Sequence, residues 1–192
     1  MKKRIYFLGA IFSLIPIGQP LLIKTSLLLS NVGLILSFAE KSYANRSSYF
    51  NYHGYQKSMR GDYYGAISDY SYSIEIDSNN ADAYYNRGNA RVKIKDYHGA
   101  ISDYSHSIEI SPASDAYYNR GVSKGKLKDY YGAISDYTKA IEINPNYKKA
   151  VKNRSLANAK IGNFDEACID SKKAILLGSA EPAYISWIKE NC

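Results

Sequence analysis

The chain has 192 residues, with 25 Lys and Arg against 18 Asp and Glu, for a formal net charge of +7. That length holds one or two domains, and 45% hydrophobic residues exclude a broadly disordered or low-complexity chain. Two cysteines, Cys168 and Cys192, exclude a disulfide-rich scaffold and a structural zinc site.

The charge is unevenly placed. Lys2, Lys3, Arg4, Lys24 and Lys41 against Glu40 alone give residues 1–44 a net of +4, which leaves +3 for the rest. A polyanion-binding face over the whole body is therefore disfavoured. Tyrosine is the unusual residue, with 20 copies against one Trp and five Phe.

Residues 1–44 read as an address. Met1-Lys2-Lys3-Arg4 precedes an apolar run from Ile5 to Ile23, and a second apolar run spans Thr25 to Ala39. As a helix the second run is about 22 Å long, short of the roughly 30 Å bilayer core but adequate for a signal peptide. Ser42-Tyr43-Ala44 supplies small residues at −3 and −1 of a cleavage after Ala44. The expectation is a bacterial export signal, with the mature protein in a periplasm, a lumen or the exterior. Because the leader is long, two alternatives stay open: retention of residues 5–39 as a membrane anchor, or a translation start near Leu22.

Beyond it the chain repeats. Gly61-Asp62-Tyr63-Tyr64-Gly65-Ala66-Ile67-Ser68-Asp69-Tyr70 recurs from Lys95 and again from Lys128, at steps of 34 and 33 residues, and more weakly from Gly162. Ala83-Tyr84-Tyr85-Asn86-Arg87-Gly88 recurs as Ala116-Tyr117-Tyr118-Asn119-Arg120-Gly121. The units run 47–80, 81–113, 114–147 and 148–180. A period near 34 residues signals a stacked helix-turn-helix array.

This pattern resembles the tetratricopeptide repeat. Numbering each unit from one, the family wants a small residue at 8 (Gly54, Gly88, Gly121, Ser155) and Ala at 20 (Ala66, Ala100, Ala133, Ala167). It also wants an aromatic at 24 (Tyr70, Tyr104, Tyr137, then Ser171). Position 27 departs as Ser73 and Ser107. The resemblance implies an all-α, right-handed α-solenoid of about four repeats. Each repeat is a helix A over positions 2–14 and a helix B over 18–31. Residues 182–192, with Tyr184, Trp187 and Ile188 at helical spacing, read as a C-terminal capping helix.

The resemblance further implies binding of a protein or peptide along the concave wall, lined by helix A positions 2, 5, 9, 12 and 13. Those are Ser48, Asn51, Tyr55, Ser58 and Met59, then Asp82, Tyr85, Asn89, Val92 and Lys93. The third and fourth units add Asp115, Tyr118, Val122, Gly125 and Lys126, then Lys149, Lys152, Leu156, Ala159 and Lys160. Amides for a backbone, aromatics for area and ammonium groups for acidic ends suit an extended peptide. A carboxylate clamp known in part of the family is matched only by Asn89, Asn119 and Lys149. Nucleic acid is disfavoured by Asp82 and Asp115 in the same groove.

Arg87, Arg120 and Arg154 stand at position 7, where the family usually has an apolar residue. They are read as structural partners of Asp103, Asp136 and Asp170 at position 23, because 7 and 23 face each other in a hairpin turning near 15–16. The first unit keeps Asp69 but offers His53. His98 and His106 lie about 12 Å apart along one helix, too far to share a metal. No phosphate loop, nucleophile elbow or carboxylate pair appears, so no enzyme, cofactor or metal is expected.

Finally, Cys168 at position 21 and Cys192 at the end of the cap fall at one level of an antiparallel interface. A disulfide is one reading. A buried small Cys168 beside an unpaired terminal Cys192 is the other.

Overall fold

The computed structural model describes residues 45–179 and 182–192. The expected leader, anchor and cleavage site therefore lie outside the described residues, as do the side chains of Pro182 and Trp187. Residues 43–192 form one compact unit, and its described elements are all helices.

Helix α1 covers residues 45–59. It is followed by α2 (Tyr63–Ile76), α3 (Ala81–Lys93), α4 (Tyr97–Ile110) and α5 (Ser114–Lys126). Then come α6 (Tyr130–Ile143), α7 (Lys148–Lys160), α8 (Phe164–Leu176) and α9 (Pro182–Asn191). From α2 onward each helix packs on the next, and the remaining contacts join α3 to α5 and α5 to α7. The odd-numbered helices therefore share one wall, and the even-numbered ones lie behind it. None of the described helices is long and apolar enough to cross a membrane.

The repeated Asp-Tyr-X-Gly-Ala string explains the turns. Asp62, Asp96 and Asp129 are N-caps, and each carboxylate accepts the backbone N–H three residues on at 2.9 Å. The reversal before each cap needs a left-handed residue, supplied by Gly61 and Gly162 but by Lys95 and Lys128 in the middle units.

Packing within a unit turns on positions 8 and 24. A Cβ on Gly54, Gly88 or Gly121 would come within 2.8 Å of the ring of Tyr70, Tyr104 or Tyr137. Those rings are at most 4% exposed. In the fourth unit both positions change together. Ser155 and Ser171 hydrogen-bond at 2.7 Å, and the Tyr184 hydroxyl of α9 donates to Ser171 at 3.2 Å. A ring from the cap thus covers the site that lost its own aromatic.

The departure at position 27 of the first unit is also polar and satisfied. Ser73 donates to the Ser47 carbonyl at 2.9 Å, and the Asn80 amide donates to Ser47 Oγ at 3.0 Å. The serine there replaces apolar packing with a closed hydrogen-bond set, as a buried hydroxyl requires.

Between units the contact is made by alanine. Ala83, Ala116 and Ala150 at position 3 are at most 1% exposed, under the preceding repeat. In α1 the same position is Tyr49, 57% exposed, with His53 against its ring at 4.2 Å.

Candidate functional site

The ion pairs form a ladder through the described repeats. Arg87 meets Asp103 at 2.7 Å, Arg120 meets Asp136 at 2.7 Å, and Arg154 meets Asp170 at 2.7 Å. The three aspartates are at most 4% exposed. Each arginine also donates through Nη1 to a hydroxyl of the preceding unit: Ser71 at 2.9 Å, Ser105 at 3.0 Å and Thr138 at 3.0 Å. One guanidinium therefore closes its own hairpin and ties it to the neighbour. The first unit carries His53 at position 7 in place of the arginine. Its Asp69 pairs instead with Lys57 at 2.8 Å, a lysine four residues after the histidine.

Lys57 stands at position 11, and position 11 recurs as a second cation. Arg91 reaches Asp103 at 2.9 Å and Lys124 reaches Asp136 at 2.8 Å. Sequence reasoning missed this role. The available signal was spacing, since positions 7 and 11 lie four apart on one helix face. In the fourth unit position 11 is Asn158, so Arg154 alone pairs with Asp170 among the described residues.

On the shared wall, amides join successive units. Asn86 donates to Asn51 at 3.1 Å, Asn119 to the Tyr85 hydroxyl at 3.0 Å, and Asn153 to the Tyr118 hydroxyl at 3.2 Å. Asn119 also donates to Asn89 Oδ1 at 3.2 Å, and Tyr104 donates to the same oxygen at 2.8 Å. Asn119 Nδ2 therefore has two acceptors within the chain, and this expected groove residue also joins repeat to repeat.

Tyr85 and Tyr118 are half-buried, with rings 5.9 Å from Tyr104 and Tyr137. Burial pushes both hydroxyls above the usual phenol range, against the lowering effect of their amide donors. They remain neutral hydrogen-bonding groups, and they bind repeat to repeat as much as they face the groove. Asn89 lies in the same network. Lys152 sits over the Tyr184 ring at 5.3 Å, against the cap. Tyr55, Lys93, Lys126 and Lys149 are exposed.

Two clefts of about 360 Å³ open on this wall. One, at the amino-terminal end, is polar and lies among Ser48, Asn51, Tyr52, Tyr55 and Asp82. The other lies between α5 and α7, with Val122, Tyr130 and Leu156 as walls and Lys126 and Lys160 at its edge. Leu156 is 39% exposed there, and the chain does not fill the space itself. Away from the wall, His106 stacks on Tyr84 at 5.1 Å, and no group of three His, Cys, Asp or Glu converges among the described residues. At the far end Cys168 and Cys192 form a disulfide, with Cα atoms 5.6 Å apart.

Tetratricopeptide-repeat family models match residues 81–114 and 114–147, and a TPR repeat model matches residues 58–95. No curated protein matches the sequence significantly. Similar solved structures include a crystal structure of MamA, 27% identical over 73% of this chain and 83% of that one, with a TM-score of 0.68. YrrB, described as a TPR protein with an unusual peptide-binding site, is 24% identical over 67% of each chain, with a TM-score of 0.63. The first TPR of Spaghetti (RPAP3) bound to the HSP90 peptide SRMEEVD is 23% identical over 62% of this chain and 94% of that one, with a TM-score of 0.60.

Proposed function

With residues 58–147 built of tetratricopeptide repeats, we propose that the chain is a non-catalytic interaction module that holds a segment of a partner protein on the wall of odd-numbered helices. The observation that carries this reading is the open cleft between α5 and α7, lined by Val122, Tyr130 and Leu156 together with Lys126 and Lys160. A side chain from outside would bury apolar area there that the chain leaves to water. The titles of two similar structures name a peptide, in YrrB a binding site and in RPAP3 a bound ligand, which supports the same kind of occupant here.

A photo-crosslinking residue placed at Leu156 tests it against one at Tyr131, which is 73% exposed on α6 behind the wall. The expected result is partner capture from position 156 and none from 131. Capture only from 131 overturns the groove reading.

We also propose export, with residues 1–44 as the leader. Support comes from the basic start, the apolar runs and Ser42-Tyr43-Ala44, together with a disulfide that an oxidising compartment would preserve. The expected mature amino terminus is Asn45. Intact mass of the native protein decides it, and a retained segment 1–44 would replace the leader with the anchor.

A further inference from the structure

One rung of the ion-pair ladder is built differently. In three units position 11 brings a cation to the buried aspartate, as Lys57, Arg91 and Lys124. In the fourth unit that position is Asn158, and positions 7, 11 and 23 there line a cleft of about 280 Å³ among α6, α7 and α8. Asn158 is 5% exposed, and its side-chain amide has no hydrogen-bond partner among the described residues. The amide is not sealed in, since it opens on the cleft. A buried amide left unpaired marks a place where a partner group belongs.

Two more positions of the same cleft change together. Position 19 is Gly65, Gly99 and Gly132 in the other units and Glu166 here. Position 22 is Ser68, Ser102 and Ser135 elsewhere and Ile169 here, 67% exposed at the rim. In the third unit Arg120 and Lys124 against Asp136 leave one net positive charge. In the fourth, Arg154 against Asp170 and Glu166 leaves one net negative charge. Glu166 is exposed and has no ion pair among the described residues.

The bland account of Glu166 is the helix dipole, which favours acids in the first turn of α8. That account leaves the unmet amide and the exposed isoleucine without a cause. Simple decay of an end repeat would lose the cation, but it would not add a carboxylate and an aliphatic rim at the same cleft.

We propose that this cleft takes a lysine or arginine side chain from a partner protein, which stands where Lys124 stands in the third unit. Asp170 accepts two N–H bonds from Arg154 at 2.7 Å, and its oxygens keep lone pairs for a further donor. The third unit shows the contact, with Lys124 on Asp136 at 2.8 Å. The Asn158 carbonyl oxygen and Glu166 supply the other acceptors, and the aliphatic stem lies along Ile134 and Ile169. The cleft opens on the side of the even-numbered helices, and Tyr131 is not one of its lining residues. This contact is therefore separate from the groove.

The test titrates the full chain with a capped pentapeptide, Gly-Ser-Arg-Ser-Gly, and follows the Asn158 side-chain amide by NMR. A second peptide carries citrulline, a neutral group of the same shape, in place of arginine. The expected result is a saturable shift of that amide, with the arginine peptide at least about tenfold tighter, since a charged donor on a buried carboxylate is among the stronger hydrogen bonds. Glu166→Gln should weaken binding about two- to fivefold, in the range of exposed ion pairs. Glu109→Gln on α4 should leave it unchanged. Asn158→Lys puts the chain's own cation in the cleft, so it should raise the urea midpoint and abolish binding, read there from the Ile169 methyl.

Equal binding of the two peptides overturns the proposal, as does binding that persists in Asn158→Lys or is indifferent to Glu166→Gln. A shift driven by calcium with both peptides inert would make the cleft a metal site and sink it. Tighter binding of spermidine than of the arginine peptide would make it a site for a free amine, and sinks it too.

Discussion

Replacing Arg120 with Leu is expected to lower the unfolding free energy by about 3 kcal/mol, because it removes the closest cation from a buried carboxylate. Asp136 is 2% exposed and accepts from Arg120 Nη2 at 2.7 Å. It would keep Lys124 at 2.8 Å, which limits the damage. Arg154→Leu should cost about 1 kcal/mol more, since Asp170 has no such second cation among the described residues.

Each change also removes the bond to the preceding unit, at Ser105 or Thr138, so coupling between repeats should fall with stability. Making Arg154 and Asp170 apolar together should cost much less than either change alone, because no charge is then left buried and unpaired. Urea unfolding of the four proteins in the cycle measures this. Additive costs would show that the two side chains do not act as a pair.

The fold was legible because a repeat states the same physical demand several times. Ala at position 20 in every unit and glycine opposite tyrosine in three of them leave little freedom, and a Cβ 2.8 Å from a buried ring shows why. The Arg–Asp contacts followed from hairpin geometry, since a turn near position 15 sets which residues face each other.

What escaped was everything set by the angle between units. The Asn119 contact with Tyr85 and Asn89 spans 34 and 30 residues, and no periodicity within one unit reveals it. A groove position and an inter-repeat position share the same helix face here, so Tyr85 and Tyr118 serve both. The second cation at position 11 escaped for another reason. Lys57, Arg91 and Lys124 read as ordinary surface charge until the buried aspartate beneath them is seen. The end units were hardest, because they solve the shared problem with different residues. Ser155 with Ser171 and Tyr184 does what glycine and tyrosine do elsewhere.

Reducing the Cys168–Cys192 bridge, or changing Cys192 to Ser, is expected to lower stability by about 3–4 kcal/mol if the closed loop acts through unfolded-state entropy. The two residues are 24 apart in sequence, so the loop holds α9 and most of α8. Helix α9 is ten residues long, too short to persist alone in water. Its other anchors are Tyr184, 5% exposed, and Ile188, packed on a cluster that includes Ile141, Val151 and Ala174.

Without the bridge the cap should fray first. Tyr184 would then leave Ser171, and Lys152 would lose the ring beneath it. Hydrogen exchange should therefore rise in α9 and α8 well before α3 to α6, and the urea midpoint should fall. The groove between α5 and α7 shares α7 with that cluster, so its outer side should loosen while Val122 and Tyr130 stay fixed. An unchanged midpoint with reductant, together with unchanged exchange in α9, would mean that packing alone holds the cap.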